Sequence, residues 1–146
     1  MDDYADLTQV RMPGRLKWAL VFVYIQVVAN LGFGLLLGAS ISDVVSHGEA
    51  LANPGLAYFA EYFSYIAAVA LLIAAIVITT GRIWGRPLLV VFEGLAILNG
   101  IVTLIEGTVS ALLGIALGVI VITTLFQDSV RSWFEQKASL RNNGQR

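Results

Sequence analysis

One carboxyl group in this sequence lies where an acid is costly to place. Glu93 falls within the apolar stretch 87–106, and none of the nine lysines and arginines falls within a stretch long enough to cross a bilayer. An acid in such a stretch faces protein or water and needs a proton or a hydrogen-bond donor. Two interpretations stay open: Glu93 is a proton-linked or ligand-binding group, or it is a structural group that fixes how two helices meet.

Three amide side chains accompany this acid on the apolar stretches. Counted at about 1.5 Å per helical residue, Gln26 lies about 12 Å and Glu93 about 9 Å inside their stretches. Asn30 and Asn99 each lie about 18 Å inside by the same count. The sequence therefore predicts a polar cluster of two layers, in which Gln26 meets Glu93 and Asn30 meets Asn99. In hydrocarbon, such pairing avoids the cost of unsatisfied polar groups.

The sequence offers little other chemistry. It contains no cysteine and one histidine, which excludes disulfides and thiolate sites, and we expect no metal site. The spacing of Asp43, His47 and Glu49 matches no familiar ligand geometry, so we interpret them as solvated loop charges. No catalytic triad, paired carboxylates or phosphate-binding glycine loop is present, and we expect no cofactor. Quinone or lipid chemistry by a membrane enzyme stays open, because it can use few protein groups.

The composition indicates that these residues are positioned by membrane helices. Hydrophobic residues make up 58% of the 146-residue chain and charged residues 13%. About 20 apolar residues cross a hydrocarbon core of about 30 Å. Residues 1–146 are therefore predicted to form a single all-α membrane domain, an antiparallel up-down-up-down four-helix bundle. Its predicted spans are 18–38, 57–79, 87–106 and 109–126.

The basic residues predict the orientation of the bundle, because lysine and arginine in short loops stay on the cytoplasmic side. The predicted tails 1–17 and 127–146 and the connection between the second and third spans contain all nine of them. Neither of the other two connections contains a basic residue, and acids lie in the first of them and at the end of the third span. Both tails are therefore predicted to be cytoplasmic. Trp18, Trp84 and Trp133 fall at the same boundary and are predicted to anchor it. No basic face is interleaved with aromatic residues, so nucleic-acid binding is not expected.

Small residues recur every four positions on two of the spans. On the first span, Gly34 and Gly38 continue a stripe that begins at Gln26 and Asn30. On the fourth, the stripe consists of Ser110, Gly114 and Gly118. Such stripes let helix backbones approach closely. They indicate either packing within one chain or a seam between two copies.

The segment after the fourth span is predicted to be a short amphipathic helix. Val130, Trp133 and Phe134 fall on one helical face, flanked by Arg131 and Lys137. A helix of this kind can lie along the membrane interface. The alternative is a docking segment for a cytosolic partner.

Short motifs in the second half of the chain carry a resemblance: Arg82-Ile83-Trp84-Gly85-Arg86-Pro87, Phe92-Glu93-Gly94-Leu95 and Val130-Arg131-Ser132-Trp133-Phe134. With these motifs the chain resembles small four-helix membrane proteins of high-GC actinobacteria. Its layout is also similar to that of DoxX-type proteins. The resemblance implies a bacterial inner (plasma) membrane and the topology above, but no activity.

Together these observations favour a non-enzymatic accessory, assembly or interaction subunit of a membrane complex. Its expected partners are the lipid bilayer and either further copies of itself or other membrane subunits. The alternative is a small proton- or solute-coupled transporter or channel that uses Glu93.

Overall fold

All regular secondary structure in the described part of the chain is helical. The computed structural model describes residues 10–105, 107, 109 and 111–143, apart from the side chains of Val102 and Thr103. Within these residues the five helices are α1 (Gly14–Ser46), α2 (Pro54–Thr79), α3 (Gly85–Ile105), α4 (Ala111–Leu125) and α5 (Asp128–Asn143). The predicted all-α class is confirmed.

Asparagine, proline and glycine lie at several of the helix ends. Asn53 caps α2 by accepting a hydrogen bond from the backbone N–H of Leu56 at 3.2 Å, and Pro54 occupies the first turn. Gly81 and Gly107 have φ angles of 71° and 93°, a left-handed conformation that suits glycine. Helices α2 and α3 end at Thr79 and Ile105, just before these two glycines.

Two of the helices are each long and apolar enough to cross a membrane, namely α1 and α2. The 33 residues of α1 give a length of about 50 Å, so this helix runs past the predicted span 18–38 at both ends. A third candidate span arises if α4 and α5, bent by 54° at the break between them, are counted as one. These helices support the interpretation of the chain as a membrane protein.

The core lies toward one end of the molecule. Helix α1 packs chiefly on α2 and α3 on α4, with further contacts between α2 and α3 and between α1 and α4. Small side chains of α2, such as Ala74 and Ala75, are fully buried and allow close helix contact. Side chains that are almost completely buried at this end include Leu16, Val23, Ile78, Leu89, Val121, Leu125 and Phe134.

Helix α5 closes this end by burying its apolar face against the protein. Val130 and Phe134 are 0% exposed and Trp133 is 3% exposed. The indole Nε1 of Trp133 donates to the backbone oxygen of Val10 at 3.4 Å, and the Arg86 guanidinium lies 5.5 Å from the centre of the Phe134 ring. The apolar face predicted to lie along the membrane interface therefore packs on the other helices of the protein instead.

This packing changes the set of aromatic residues available to anchor a membrane boundary. Trp18 and Trp84 are 67% and 47% exposed and present their rings at the surface, as the sequence predicts. Trp133 is buried, which differs from the exposure expected of an interface anchor. The cause is that α5 folds back onto the rest of the protein. Burial of the ring in protein removes its apolar surface from water, as insertion into lipid would also do.

Candidate functional site

One polar residue of α1 and one of α3 meet inside the protein. The Gln26 amide Nε2 donates a hydrogen bond to Glu93 Oε2 at 3.1 Å. Glu93 is 0% exposed, and Gln26 is half-buried. This contact is the first of the two polar layers that depth counting predicts. It joins side chains separated by 67 residues and connects α1 to α3, two helices that otherwise make few direct contacts.

Each partner of this hydrogen bond keeps one buried oxygen without a hydrogen-bond partner in the structure. These atoms are Gln26 Oε1 and Glu93 Oε1. A glutamine side chain can be flipped so that its amide nitrogen and oxygen exchange places. The contact therefore suits two states of Glu93: an ionised carboxylate that accepts from the amide N–H, or a protonated carboxyl group that donates its O–H to the amide oxygen. An unsatisfied buried polar atom costs about 1 to 3 kcal/mol. The site therefore has unused capacity to bind a donor at Glu93.

A glycine on α4 makes room for the carboxyl group. A Cβ atom at Gly118 would lie 3.1 Å from Glu93 Oε2 and 2.9 Å from the Ile97 side chain. Both distances are shorter than ordinary van der Waals contact, so a side chain at this position would displace its neighbours. Gly118 lets the α4 backbone cover the buried acid. Sequence reasoning placed Gly118 in a packing stripe but missed its contact with Glu93 and the part played by Ile97, which lies one helical turn after Glu93 on the same face.

The two glycines of the α1 stripe face α2. A Cβ atom at Gly34 would lie 2.8 Å from the Tyr65 ring, and one at Gly38 would lie 2.5 Å from the Glu61 carboxyl group. These glycines pack within the chain, which is one of the two interpretations the sequence left open.

The members of the stripe on α4 do not all face the same surroundings. Gly118 packs on α3, whereas Gly114, one turn earlier, is exposed, and a Cβ atom there would meet nothing within 4 Å. Ser110, the first member of the stripe, lies outside the described residues. The interpretation as a seam between copies therefore stays open at Gly114.

The second predicted layer takes a different form from the first. The Asn30 amide donates to the backbone oxygen of Gln26 on its own helix at 2.9 Å. Asn30 and Asn99 line one cavity of about 160 Å³ between α1, α2 and α3. A direct Asn30–Asn99 hydrogen bond stays a prediction, and what the structure shows is a shared cavity. The remaining lining is mainly aromatic and apolar, with Ser64 as a further polar member.

This cavity and the buried acid are neighbours but are separate spaces. Phe92 and Ala96 line the cavity, whereas Glu93 is not among its lining residues. A cavity of this volume has room for a few water molecules at about 30 Å³ each. The cavity therefore comes close to the acid without reaching it in this conformation.

No alternative site of comparable chemistry stands out among the described residues. Their two ion pairs, Asp43–His47 at 3.5 Å and Arg131–Glu135 at 3.0 Å, are exposed and lie on single helices or their ends. The described part of the chain holds no group of three or more metal-binding side chains. Charge pairs of this kind contribute little energy in water.

The chemistry available at the Gln26–Glu93 contact is hydrogen bonding and the binding or release of a proton. The contact pairs one amide with one carboxyl group, and the remaining oxygen of each has no hydrogen-bond partner in the described structure. Comparison with protein-family models, curated proteins and solved structures finds no match to this chain. Function has to be inferred from the geometry itself.

Proposed function

We propose that this chain is a multi-pass membrane protein that acts without catalysis, as an accessory, assembly or interaction subunit of a membrane complex. The observation that carries the proposal is the enclosure of Glu93, which is 0% exposed and held by Gln26. A conducting path needs its polar groups to face water, and this acid faces protein. The surfaces available to bind a partner are therefore the outward faces of the helices.

The proposed topology has four antiparallel spans, with both termini on the cytoplasmic side of a bacterial inner membrane. The contacts Gly34–Tyr65 and Gly38–Glu61 support opposite directions for α1 and α2, because one residue number rises as the other falls. Hydrogen bonds support a common end for several termini: Arg15 with Gln127, Arg86 with Leu125 and Arg141 with Gly81. The basic residues gathered at this end make it the cytoplasmic one.

The same topology assigns α4 to a span of its own and α5 to the cytoplasmic surface. The 15 residues of α4 are all uncharged, whereas α5 carries Asp128, Arg131, Glu135, Lys137 and Arg141 within 16 residues. Charged side chains cost about 2.5 to 3.5 kcal/mol each at the centre of a bilayer. The bend between the helices then separates a membrane segment from an interfacial one.

The outward faces of this bundle are apolar and suited to lateral contact. Val28 on α1, Ile66 on α2 and Leu113 on α4 are 70%, 60% and 69% exposed. Gly114 lies beside Leu113 and leaves space for close approach by another helix. Lipid covers such faces in a free subunit, and a second copy or another membrane protein covers part of them in a complex.

Photo-crosslinking in native membranes tests the subunit proposal. A photoreactive residue is placed singly at Val28, Ile66 or Leu113, with buried Val121 as the matched control, which is 0% exposed. We expect at least one exposed position to give a defined adduct with a second copy or another membrane protein, and Val121 to give none. Recovery of the chain only as a monomer from all three exposed positions would contradict the proposal.

A second function, proton- or solute-coupled transport through Glu93, is favoured by one observation. Glu93 Oε1 and Gln26 Oε1 are buried without hydrogen-bond partners, beside a cavity lined by Asn30 and Asn99. In this alternative, a change in helix packing opens the acid to that cavity. Four spans enclose little room, so an oligomer or a partner would complete the path.

Replacement of Glu93 by glutamine discriminates between the two functions. Glutamine keeps the shape and the hydrogen bond to Gln26 but cannot bind and release a proton. In proteoliposomes containing a pH-sensitive dye, we expect neither the wild type nor Glu93→Gln to conduct protons above protein-free liposomes. A wild-type flux that Glu93→Gln abolishes would establish the transport function instead. A flux equal in both proteins would show conduction that does not use Glu93.

A further inference from the structure

Two adjoining cavities lie where α3 begins, α4 ends and α5 begins. The first, of about 390 Å³, is lined by Ile83, Arg86, Pro87, Val90, Leu125 and Phe126. The second, of about 420 Å³, shares Ile83, Arg86 and Phe126 with the first and adds Asp128, Arg131, Phe134 and Glu135. We call the two cavities together the junction groove. Each part falls within the range of about 300 to 1,000 Å³ that is typical of small-molecule sites.

The two parts of the junction groove differ in chemistry. Apart from Arg86, the first part is lined by apolar side chains of α3 and α4 and by their connections. The second part contains two arginines and two carboxylates, which sum to no net charge. In the proposed topology the apolar part lies beside the lipid tails and the charged part lies at the cytoplasmic headgroups. The groove therefore has the polarity profile of a lipid molecule.

The two arginines keep donors available in this groove. Arg86 is held in place by a hydrogen bond from its guanidinium to the Leu125 backbone oxygen and by the Phe134 ring beneath it. Arg131 donates from Nε to Glu135 Oε1 at 3.0 Å, through one edge of its guanidinium. A guanidinium has several N–H donors in a fork that matches a phosphate. Both residues can therefore bind a phosphate without giving up the contacts that orient them.

We propose that the junction groove binds a zwitterionic phospholipid with a primary-amine headgroup, namely phosphatidylethanolamine. Arg86 and Arg131 bind its phosphate, while Asp128 and Glu135 accept hydrogen bonds from its ammonium group. An acyl chain follows the apolar part of the groove along Val90. This inference rests on the proposed membrane topology, which places the charged part at headgroup level.

The balance of charge selects this headgroup over the other common ones. Phosphatidylglycerol offers a phosphate to the arginines but leaves Asp128 without a cationic partner and Glu135 with Arg131 alone. Phosphatidylcholine is zwitterionic, but its quaternary ammonium has no N–H to donate. Of these three headgroups, only the primary ammonium offers the carboxylates a positively charged N–H donor, and hydrogen bonds between two ionised groups are among the stronger ones. Basic pockets at the cytoplasmic side of membrane helices commonly bind anionic headgroups, and the two acids alter that preference here.

Lipid retention by the purified full chain tests the inference. Phosphatidylethanolamine, phosphatidylcholine and phosphatidylglycerol with identical acyl chains are offered in detergent, and bound lipid is counted by native mass spectrometry. We expect the wild type to retain phosphatidylethanolamine about tenfold better than either of the others, the ratio that one additional charge-assisted hydrogen bond provides. Equal retention of phosphatidylethanolamine and phosphatidylcholine, or a preference for phosphatidylglycerol, would overturn the inference.

Two sets of variants assign the headgroup contacts. Asp128→Asn combined with Glu135→Gln leaves two arginines in the groove, and we expect the preference to change to phosphatidylglycerol. Glu49→Gln at the opposite end is the matched control and should keep the wild-type preference. An unchanged preference in the double variant would show that the carboxylates do not bind the amine.

A third variant tests the phosphate contact. Arg131→Gln should weaken retention of all three lipids, compared with Arg82→Gln, which removes an exposed charge outside the groove. Equal retention in these two variants would overturn the assignment of Arg131. If the proposed topology itself is wrong, a cysteine introduced at Ser139 on α5 reacts with a membrane-impermeant maleimide in intact cells. If only the headgroup inference is wrong, that cysteine reacts only after permeabilisation and the chain retains lipids without preference.

Discussion

Leucine at Gln26 or at Glu93 alone is expected to destabilise the protein by about 2 kcal/mol, whereas leucine at both positions together costs less than the sum of the two. Each single change leaves the other polar group buried without its partner. Glu93 would lose its only donor among the described residues, and Gln26 would lose its acceptor. The double change removes both polar groups, and in hydrocarbon surroundings an apolar pair is cheap to bury.

The free energy of unfolding in mixed micelles, measured by titration with a denaturing detergent, provides the four values of this cycle. Val28→Leu and Val91→Leu are matched controls on the same two helices, because both side chains are exposed, and they should change the free energy little. Additive effects of the two polar substitutions would contradict the contact between α1 and α3.

Leucine at Gly118 should destabilise the protein by about 1 to 3 kcal/mol, the usual cost of overpacking a close contact. The new side chain would meet Ile97 and the Glu93 carboxyl group, and α4 would have to move away from α3. The displacement would also expose the buried acid, so loss of stability should be accompanied by faster exchange of nearby backbone amides.

Gly114→Leu is the matched control for this substitution, because it makes the same change one helical turn earlier, where nothing lies within 4 Å. It should leave the free energy of unfolding of the monomer nearly unchanged. If Gly114 lies at a seam between copies, the same variant will weaken the crosslinked adduct formed from Leu113. Equal destabilisation by Gly118→Leu and Gly114→Leu would contradict the packing of α4 on α3.

The contact between Gln26 and Glu93 could be predicted from the sequence because depth along a helix follows directly from residue count. The direction in which each side chain points around the helix is harder to predict than its depth. At 3.6 residues per turn, a four-residue stripe drifts round the helix by about 40° per step. Gln26 and Gly34 belong to one stripe, yet Gln26 faces α3 and Gly34 faces α2.

The position of α5 shows a second limit of sequence reasoning. The apolar face of Val130, Trp133 and Phe134 was identified correctly, but the pattern is the same whether that face meets lipid or protein. Tertiary contacts determine that this face meets protein. Trp133 donates a hydrogen bond to the backbone oxygen of Val10, and the Arg86 guanidinium lies over the Phe134 ring. These contacts join residues more than forty positions apart and leave no local pattern in the sequence.

The proposed topology makes one further prediction, and the absence of cysteine makes it directly testable. Single cysteines are introduced at Ala50, Thr80, Val109 and Ser139, all of them exposed positions between or beyond the spanning helices. Intact cells are treated with a membrane-impermeant maleimide. We expect Ala50 and Val109 to react at once and Thr80 and Ser139 to react only after permeabilisation. Reaction of Val109 only after permeabilisation, together with Thr80, would contradict the four-span topology.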